Sequence, residues 1–195
     1  MNHSKDIRRL EQEYIEQFNG HDVPEALLSL LQFANEKSKM DCFSDGFEFS
    51  INLDKCGLKT YSEDEEFLSS IIEFANADGN GSTYGFWLNN KDKNLIEAPV
   101  VIFGSEGGFH VVANNINDLL QILTFDSEPM VDWDSLYYYK DPDDYEPSAK
   151  IESYRSWLKN TRSLETITNA DALVELAQKY HQEEFKDWMA KFYQD

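Results

Sequence analysis

The strongest constraint on this chain is a central series of strand-like segments broken by tight turns, set between ends of helical period. Phe47, Phe49, Ile51 and Leu53 alternate with Glu48, Ser50, Asn52 and Asp54, the pattern of a strand with one buried and one wet face. Gly57 is expected to break that run. Ser62-Glu63-Asp64-Glu65 reads as a capping box, Ser62 to Glu65, ahead of Phe67, Leu68, Ile71 and Ile72. A short helix should therefore pass into a strand near Ile71 to Ala75. Asn76 to Ser82 consists of residues that tolerate positive φ and bond their own backbone, which is a turn signal. Thr83 to Leu88 is a strand by composition, and Ala98 to Phe103 is an apolar run of strand length. Gly104 to Gly108 turns the chain and Phe109 to Ala113 returns it. Short strands joined by tight turns predict an antiparallel meander.

Helices are expected on either side. Ile7, Leu10, Tyr14, Ile15 and Phe18 keep helical spacing up to a stop at Asn19-Gly20. Asp22 is a candidate N-cap for a second helix, with Pro24 early in it and Leu27, Leu28, Leu31 and Ala34 on its apolar face. Asn114 or Asn115 should cap a helix carrying Ile116, Leu119, Leu120 and Leu123. The end of the chain reads as helical through Ile151, Tyr154, Trp157 and Leu158, then Ala172, Leu173, Leu176 and Tyr180 after an Asn169 cap, then Phe185, Trp188, Met189 and Phe192. The expected fold is α+β: an antiparallel sheet of about four to six strands, with the N-terminal helices packed on it. Residues 1–195 form one domain, of which 148–195 is a helical C-terminal extension. A hydrophobic content of 41% supplies a core of the needed size.

Charge narrows the function. The net charge is −20, and the span from Asp41 to Pro147 holds 22 acids against five bases. Nucleic acid and anionic membrane surfaces are polyanions and are poor partners for such a chain. No apolar run reaches the roughly 18 residues needed to cross a bilayer. Met1 to Asp6 lacks the apolar stretch and cleavage site of a signal peptide. The two cysteines, Cys42 and Cys56, read as free thiols of a cytoplasmic protein.

Motifs for chemistry are weak. Asp78-Gly79-Asn80-Gly81 begins like a calcium loop, but Gly85, Phe86 and Asn89 do not complete the ligand set. Gly104 to Gly108 lies between strands, without the helix and lysine of a phosphate cradle. The four histidines are scattered, and His110 on its strand reads as structural. No catalytic residues, metal or cofactor are therefore expected. The connection from Phe125 to Pro147 differs. It carries Asp126, Glu128, Asp132, Asp134, Asp141, Asp143, Asp144 and Glu146 against Lys140, together with Trp133, Tyr137, Tyr138, Tyr139 and Tyr145. Aromatic anchors rimmed by charge compose interface hot spots. The competing reading is that Trp133 and some of the tyrosines merely pin a long connection onto the core.

The stretch from Ile72 to Leu88, through Phe74-Ala75 and the Asp78-Gly79-Asn80-Gly81 turn, resembles the core motif of the SUKH superfamily. The order continues with Pro99-Val100-Val101, Gly107-Gly108, Val111-Val112-Ala113 and the Ile116 to Leu123 helix, so the likeness covers about residues 60 to 125. Glu73 stands where that family customarily has proline. The resemblance implies a non-enzymatic α+β protein, typically a bacterial immunity protein that binds and neutralises a toxin, often a nuclease. The partner expected here is a basic protein, in a complex of unstated oligomeric state. The candidate contacts are Trp133, Asp134, Tyr138, Tyr139, Asp141, Asp143 and Asp144, with Glu63, Asp64 and Glu65 next. A regulatory scaffold with an endogenous partner is the alternative, and a hydrolase would need a cavity in which carboxylates converge.

Overall fold

A computed structural model describes residues 12–38, 41–89 and 94–193. The fold is α+β, as the period changes imply: a five-stranded antiparallel sheet in the order β1-β2-β3-β4-β5 and a separate two-stranded hairpin. The strands are β1 (Glu48–Phe49), β2 (Ile71–Asn76), β3 (Thr83–Trp87), β4 (Val100–Phe103) and β5 (Phe109–Ala113), followed by β6 (Pro129–Val131) and β7 (Leu136–Tyr138). The helices are α1 (Glu25–Phe33), α2 (Cys56–Lys59), α3 (Glu65–Ser70), α4 (Ile116–Ile122), α5 (Ile151–Trp157) and α6 (Asp171–Met189). A further helical segment covers 12–16, while Ile7, Leu10 and the Met1 to Asp6 start lie outside the described residues.

The main sheet is a middle layer with helices on both faces. On one side Phe74, Tyr84, Phe86, Ile102 and Val112 meet Tyr14, Phe18 and the apolar faces of α1, α4 and α5. On the other, Ile71, Trp87, Val101, Phe103 and Val111 meet Leu58, Phe67 and the inner face of α6. Each large apolar side chain buried in this way contributes about 1.5–3 kcal/mol. Strands β2 to β4 are therefore buried on both faces apart from the rim, and their one acid, Glu73, is itself buried. The central charge accordingly sits on turns, helix starts and connections, with Glu48 of β1 the exposed strand acid.

Helix α6 is a structural layer, although it lies in the segment expected to be an extension. Phe185, Trp188 and Met189 are buried against the sheet, and the Gln182 side chain accepts a hydrogen bond from Val111 N at 2.7 Å. That bond covers the open edge of β5. The opposite edge is handled alike: the Gln17 amide donates to Ser50 O at 3.0 Å and accepts from Asn52 N at 3.2 Å.

Several local expectations are corrected. The strand predicted through Asp54 pairs only at Glu48 and Phe49. Beyond that point Ser50 O and Asn52 N bond the Gln17 side chain, and Ile51 and Leu53 are exposed. Gly57 does not break a strand but lies within α2. The cap of α3 is Asp64, whose carboxylate accepts from Glu66 N and Phe67 N, while Ser62 Oγ accepts from Asp64 N. Pro24 precedes α1 at the capping position, with no side-chain cap. Leu176 and Tyr180 are exposed, and α6 buries Val174 and Ala177 instead. Other expectations hold: α3 runs directly into β2, and Asn115 caps α4.

Candidate partner-binding surface

The connection from Phe125 to Pro147 is not an irregular loop. It is organised by β6 and β7, whose register pairs Pro129 with Tyr138, Met130 with Tyr137 and Val131 with Leu136. Alternation then assigns two faces. Pro129, Leu136 and Tyr138 are buried. Met130 and Tyr137 are exposed cross-strand neighbours, and Tyr139, two residues beyond Tyr137, is 61% exposed. The tip is an Asx turn: Asp132 Oδ1 accepts from Asp134 N at 2.8 Å and Ser135 N at 2.7 Å. These bonds hold the Asp132 carboxyl below its usual range.

Trp133, at this tip, combines the two readings left open by the sequence. Its ring stacks on Tyr193 with centroids 5.6 Å apart, yet 49% of the residue is exposed. Its seat is Gly107, at φ 108°, where an added Cβ would lie 2.2 Å from Trp133 Cζ2. The glycines of the β4–β5 turn thus make room for the hairpin tip. His110 supports the same tip from below, its buried ring nitrogen 2.7 Å from Asp132 O. Burial lowers the affinity of that imidazole for a proton.

The base of the hairpin is fixed by Asp126, a buried carboxylate with φ 62°. It accepts from Asp45 N, Tyr145 Oη, Ser148 N and Ser148 Oγ. Burial pushes its carboxyl up, but these four bonds outweigh it and hold the group below the ordinary value. Lys140, the single base in the connection, folds back over the rings of Phe125 and Tyr145 at 4.4 and 4.0 Å. Asp141, Asp143 and Asp144 remain exposed beside it; Asp141 accepts from Asp143 N, and no ion pair involves the three among the described residues.

Of the ten predicted contacts, Trp133, Asp134, Tyr139, Asp141, Asp143 and Asp144 lie exposed on this hairpin and its base. Tyr138 does not belong with them. It is 6% exposed, its hydroxyl lies 2.9 Å from that of Tyr84, and its amide donates to Asp171 Oδ1 at 2.8 Å. Glu63, Asp64 and Glu65 are exposed at the start of α3, and no hydrogen bond or ion pair joins them to the hairpin among the described residues. Tyr61 forms the nearest link: its hydroxyl donates to Gly104 O and Gly108 O, and its ring packs 5.8 Å from Tyr193.

The prediction missed Met130 and a cavity beside the hairpin. The cavity, of about 290 Å³, is bounded by the 41–49 segment, the β2–β3 turn and Glu128. Phe43 and Phe47 are buried beneath it, and Asp41, Asp45 and Glu48 are exposed around it. Asp78 and Glu128 also line it, each with one carboxylate oxygen engaged: Asp78 Oδ1 accepts from Asn80, Gly81 and Ser82 N, and Glu128 Oε1 from Gly79 N. Gly46 lets the 41–49 segment lie flush on the chain that leads into β6, since a Cβ there would meet Ser127 O at 2.6 Å. Only the pairing of distant segments creates this cavity, so no local sequence signal announced it.

Among the described residues no group of three or more His, Cys, Asp or Glu could hold a metal ion, and no helix is long and apolar enough to cross a membrane. Cys42 and Cys56 are free and exposed. Comparison with protein families, curated proteins and solved structures finds no match to this chain.

Proposed function

We propose that this chain is a non-enzymatic, cytoplasmic binding protein that engages a basic protein partner through the hairpin face and its acidic base. The observation that carries the reading is the disposition of side chains around β6 and β7. Met130, Trp133, Tyr137 and Tyr139 offer exposed contact area, while Lys140, which could have neutralised the rim, is turned inward onto two rings. Exposed aromatics bind at low entropic cost, and the surrounding acids steer a cationic partner toward them. The resemblance of residues 60 to 125 to the SUKH pattern favours an immunity role, in which the partner is a toxin and occlusion of its basic surface is the mechanism. For a nuclease, these carboxylates would stand where phosphates bind.

The test is association kinetics with the product of a neighbouring toxin gene, or with the protein recovered from the native host. Converting Asp141, Asp143 and Asp144 together to Asn should lower the on-rate by about an order of magnitude at low salt and flatten its salt dependence. The off-rate should instead respond to Tyr139→Ala. An on-rate indifferent to the triple substitution would sink the proposal.

A further inference from the structure

We propose that the cavity between the 41–49 segment, the β2–β3 turn and Glu128 is a socket for an arginine side chain presented by the protein partner. The inference rests on the reading that the partner is basic, and it adds a second, concave anchor beside the convex hairpin. Three separate features point to this occupant. The volume, about 290 Å³, lies just under the ~300–1,000 Å³ range of small-ligand pockets, which suits one long side chain rather than a larger cofactor. The lower wall is aromatic: Phe47 and Phe49 pack edge to face at 5.0 Å and 89°, with Phe43 5.7 Å from Phe47. The charge is of one sign, for no Lys, Arg or His lines the cavity. Lys150 is the nearest base in contact with its rim, 3.5 Å from Asp41.

The carboxylates of Asp45 and Glu48 accept no hydrogen bond and make no ion pair among the described residues. Asp78 and Glu128 each already hold backbone amides. Asp45 and Glu48 therefore keep both carboxylate oxygens open to donors, where Asp78 and Glu128 keep one each. Burial, and then the charge of Asp126, push the Asp45 carboxyl above its usual range, and the positive charge of an arriving cation would offset both. A planar guanidinium satisfies all of these features. It lies against aromatic rings, is weakly hydrated, and offers donors to two carboxylates at once, whereas an ammonium is a compact, strongly hydrated point charge.

The experiment is an amide chemical-shift titration of the full chain with N-acetyl-arginine methylamide, its citrulline counterpart and its lysine counterpart. The arginine compound should produce saturable shifts at Asp45, Gly46, Glu48 and Gly79, with affinity about tenfold above that of citrulline, which has the same shape without the charge. Asp45→Asn with Glu48→Gln should abolish those shifts. Both side chains are exposed and unbonded, so the remainder of the spectrum should stay in place, and Glu48→Gln alone should give a partial loss. Equal affinity for citrulline, equal affinity for lysine, or shifts confined to residues 129–138 would overturn the assignment. A partner that binds through the hairpin while the cavity ignores arginine overturns this inference alone. An arginine response at the cavity, with partner association blind to Asp141, Asp143 and Asp144, overturns the proposed function alone.

Discussion

Asp126→Asn asks whether one buried carboxylate gives the acidic connection its shape. Asp126 is 1% exposed and sits in left-handed backbone at φ 62°, a conformation asparagine also tolerates, so the substitution changes hydrogen bonding with little change in backbone strain. In the native protein Oδ1 accepts from Asp45 N at 2.9 Å and Ser148 Oγ at 2.6 Å. Oδ2 accepts from Ser148 N at 3.0 Å and Tyr145 Oη at 2.5 Å. One side chain thereby ties both ends of the connection to the segment that borders the cavity. An asparagine has one oxygen for these four donors. If that oxygen keeps the Oδ1 position, the new NH2 meets the Ser148 amide donor to donor, and only the Tyr145 hydroxyl can turn to accept. In the flipped orientation the Asp45 amide is stranded instead. A stranded backbone donor costs about 1–3 kcal/mol, and the surviving bonds each lose about 1 kcal/mol of charge assistance. Allowing for relaxation, the expected loss is about 2–4 kcal/mol, a large share of the ~5–15 kcal/mol that holds a typical domain together.

Urea unfolding across a pH series separates this account from a generic packing defect. The folded-state affinity of Asp126 for a proton is depressed, so its contribution is fully present above the ordinary aspartate value of about 3.9 and is lost as pH falls through the lower folded value. Wild type should therefore lose more stability on acidification than Asp126→Asn, and the two curves should converge in acid. A neutral-pH difference below about 0.5 kcal/mol, or a difference that does not shrink with acid, would refute the reasoning.

Two further substitutions probe the hairpin. Gly107→Ala should cost about 2 kcal/mol or more and red-shift tryptophan emission, because the new methyl occupies the seat of the Trp133 ring; unchanged emission would show that the tip does not depend on that seat. Tyr138→Phe should cost about 1–3 kcal/mol by leaving the buried Tyr84 hydroxyl unpaired, with partner affinity unaltered; lost affinity without lost stability would return Tyr138 to the contact set.

What was legible in the sequence was what is local. The Asn76 to Ser82 turn follows from one side chain, Asp78, collecting three successive amides, and the apolar run before Gly104 needed no knowledge of its neighbours to be read as a strand. The errors arose where a distant residue decides. Ile51 and Leu53 continue a strand pattern, but the backbone around them bonds Gln17, more than 30 positions away in sequence, in place of a strand ladder. Leu176 and Tyr180 are more apolar or bulkier than Ala177, yet the helix turns Ala177 and Phe185 to the sheet against Trp87, and Val174 joins the core on the other side. Tyr138 and Tyr139 are chemically identical neighbours, and their opposite fates are set by Tyr84 and Asp171. The same logic governs the charge. A sequence counts 37 acids as equals, but Asp64, Asp78 and Asp132 are occupied in holding amides of their own turns or caps, and Asp126 in holding those of the distant Asp45 and Ser148. Neutralising one of those changes the shape of the protein before it changes any encounter. Asp45, Glu48, Asp134, Asp143 and Asp144 accept no hydrogen bond and form no ion pair among the described residues, so their field acts on whatever approaches. The division of acids into those spent on the fold and those left to the surface is a property of the folded chain, and it predicts that substitutions in the first group will move stability and substitutions in the second will move association rates.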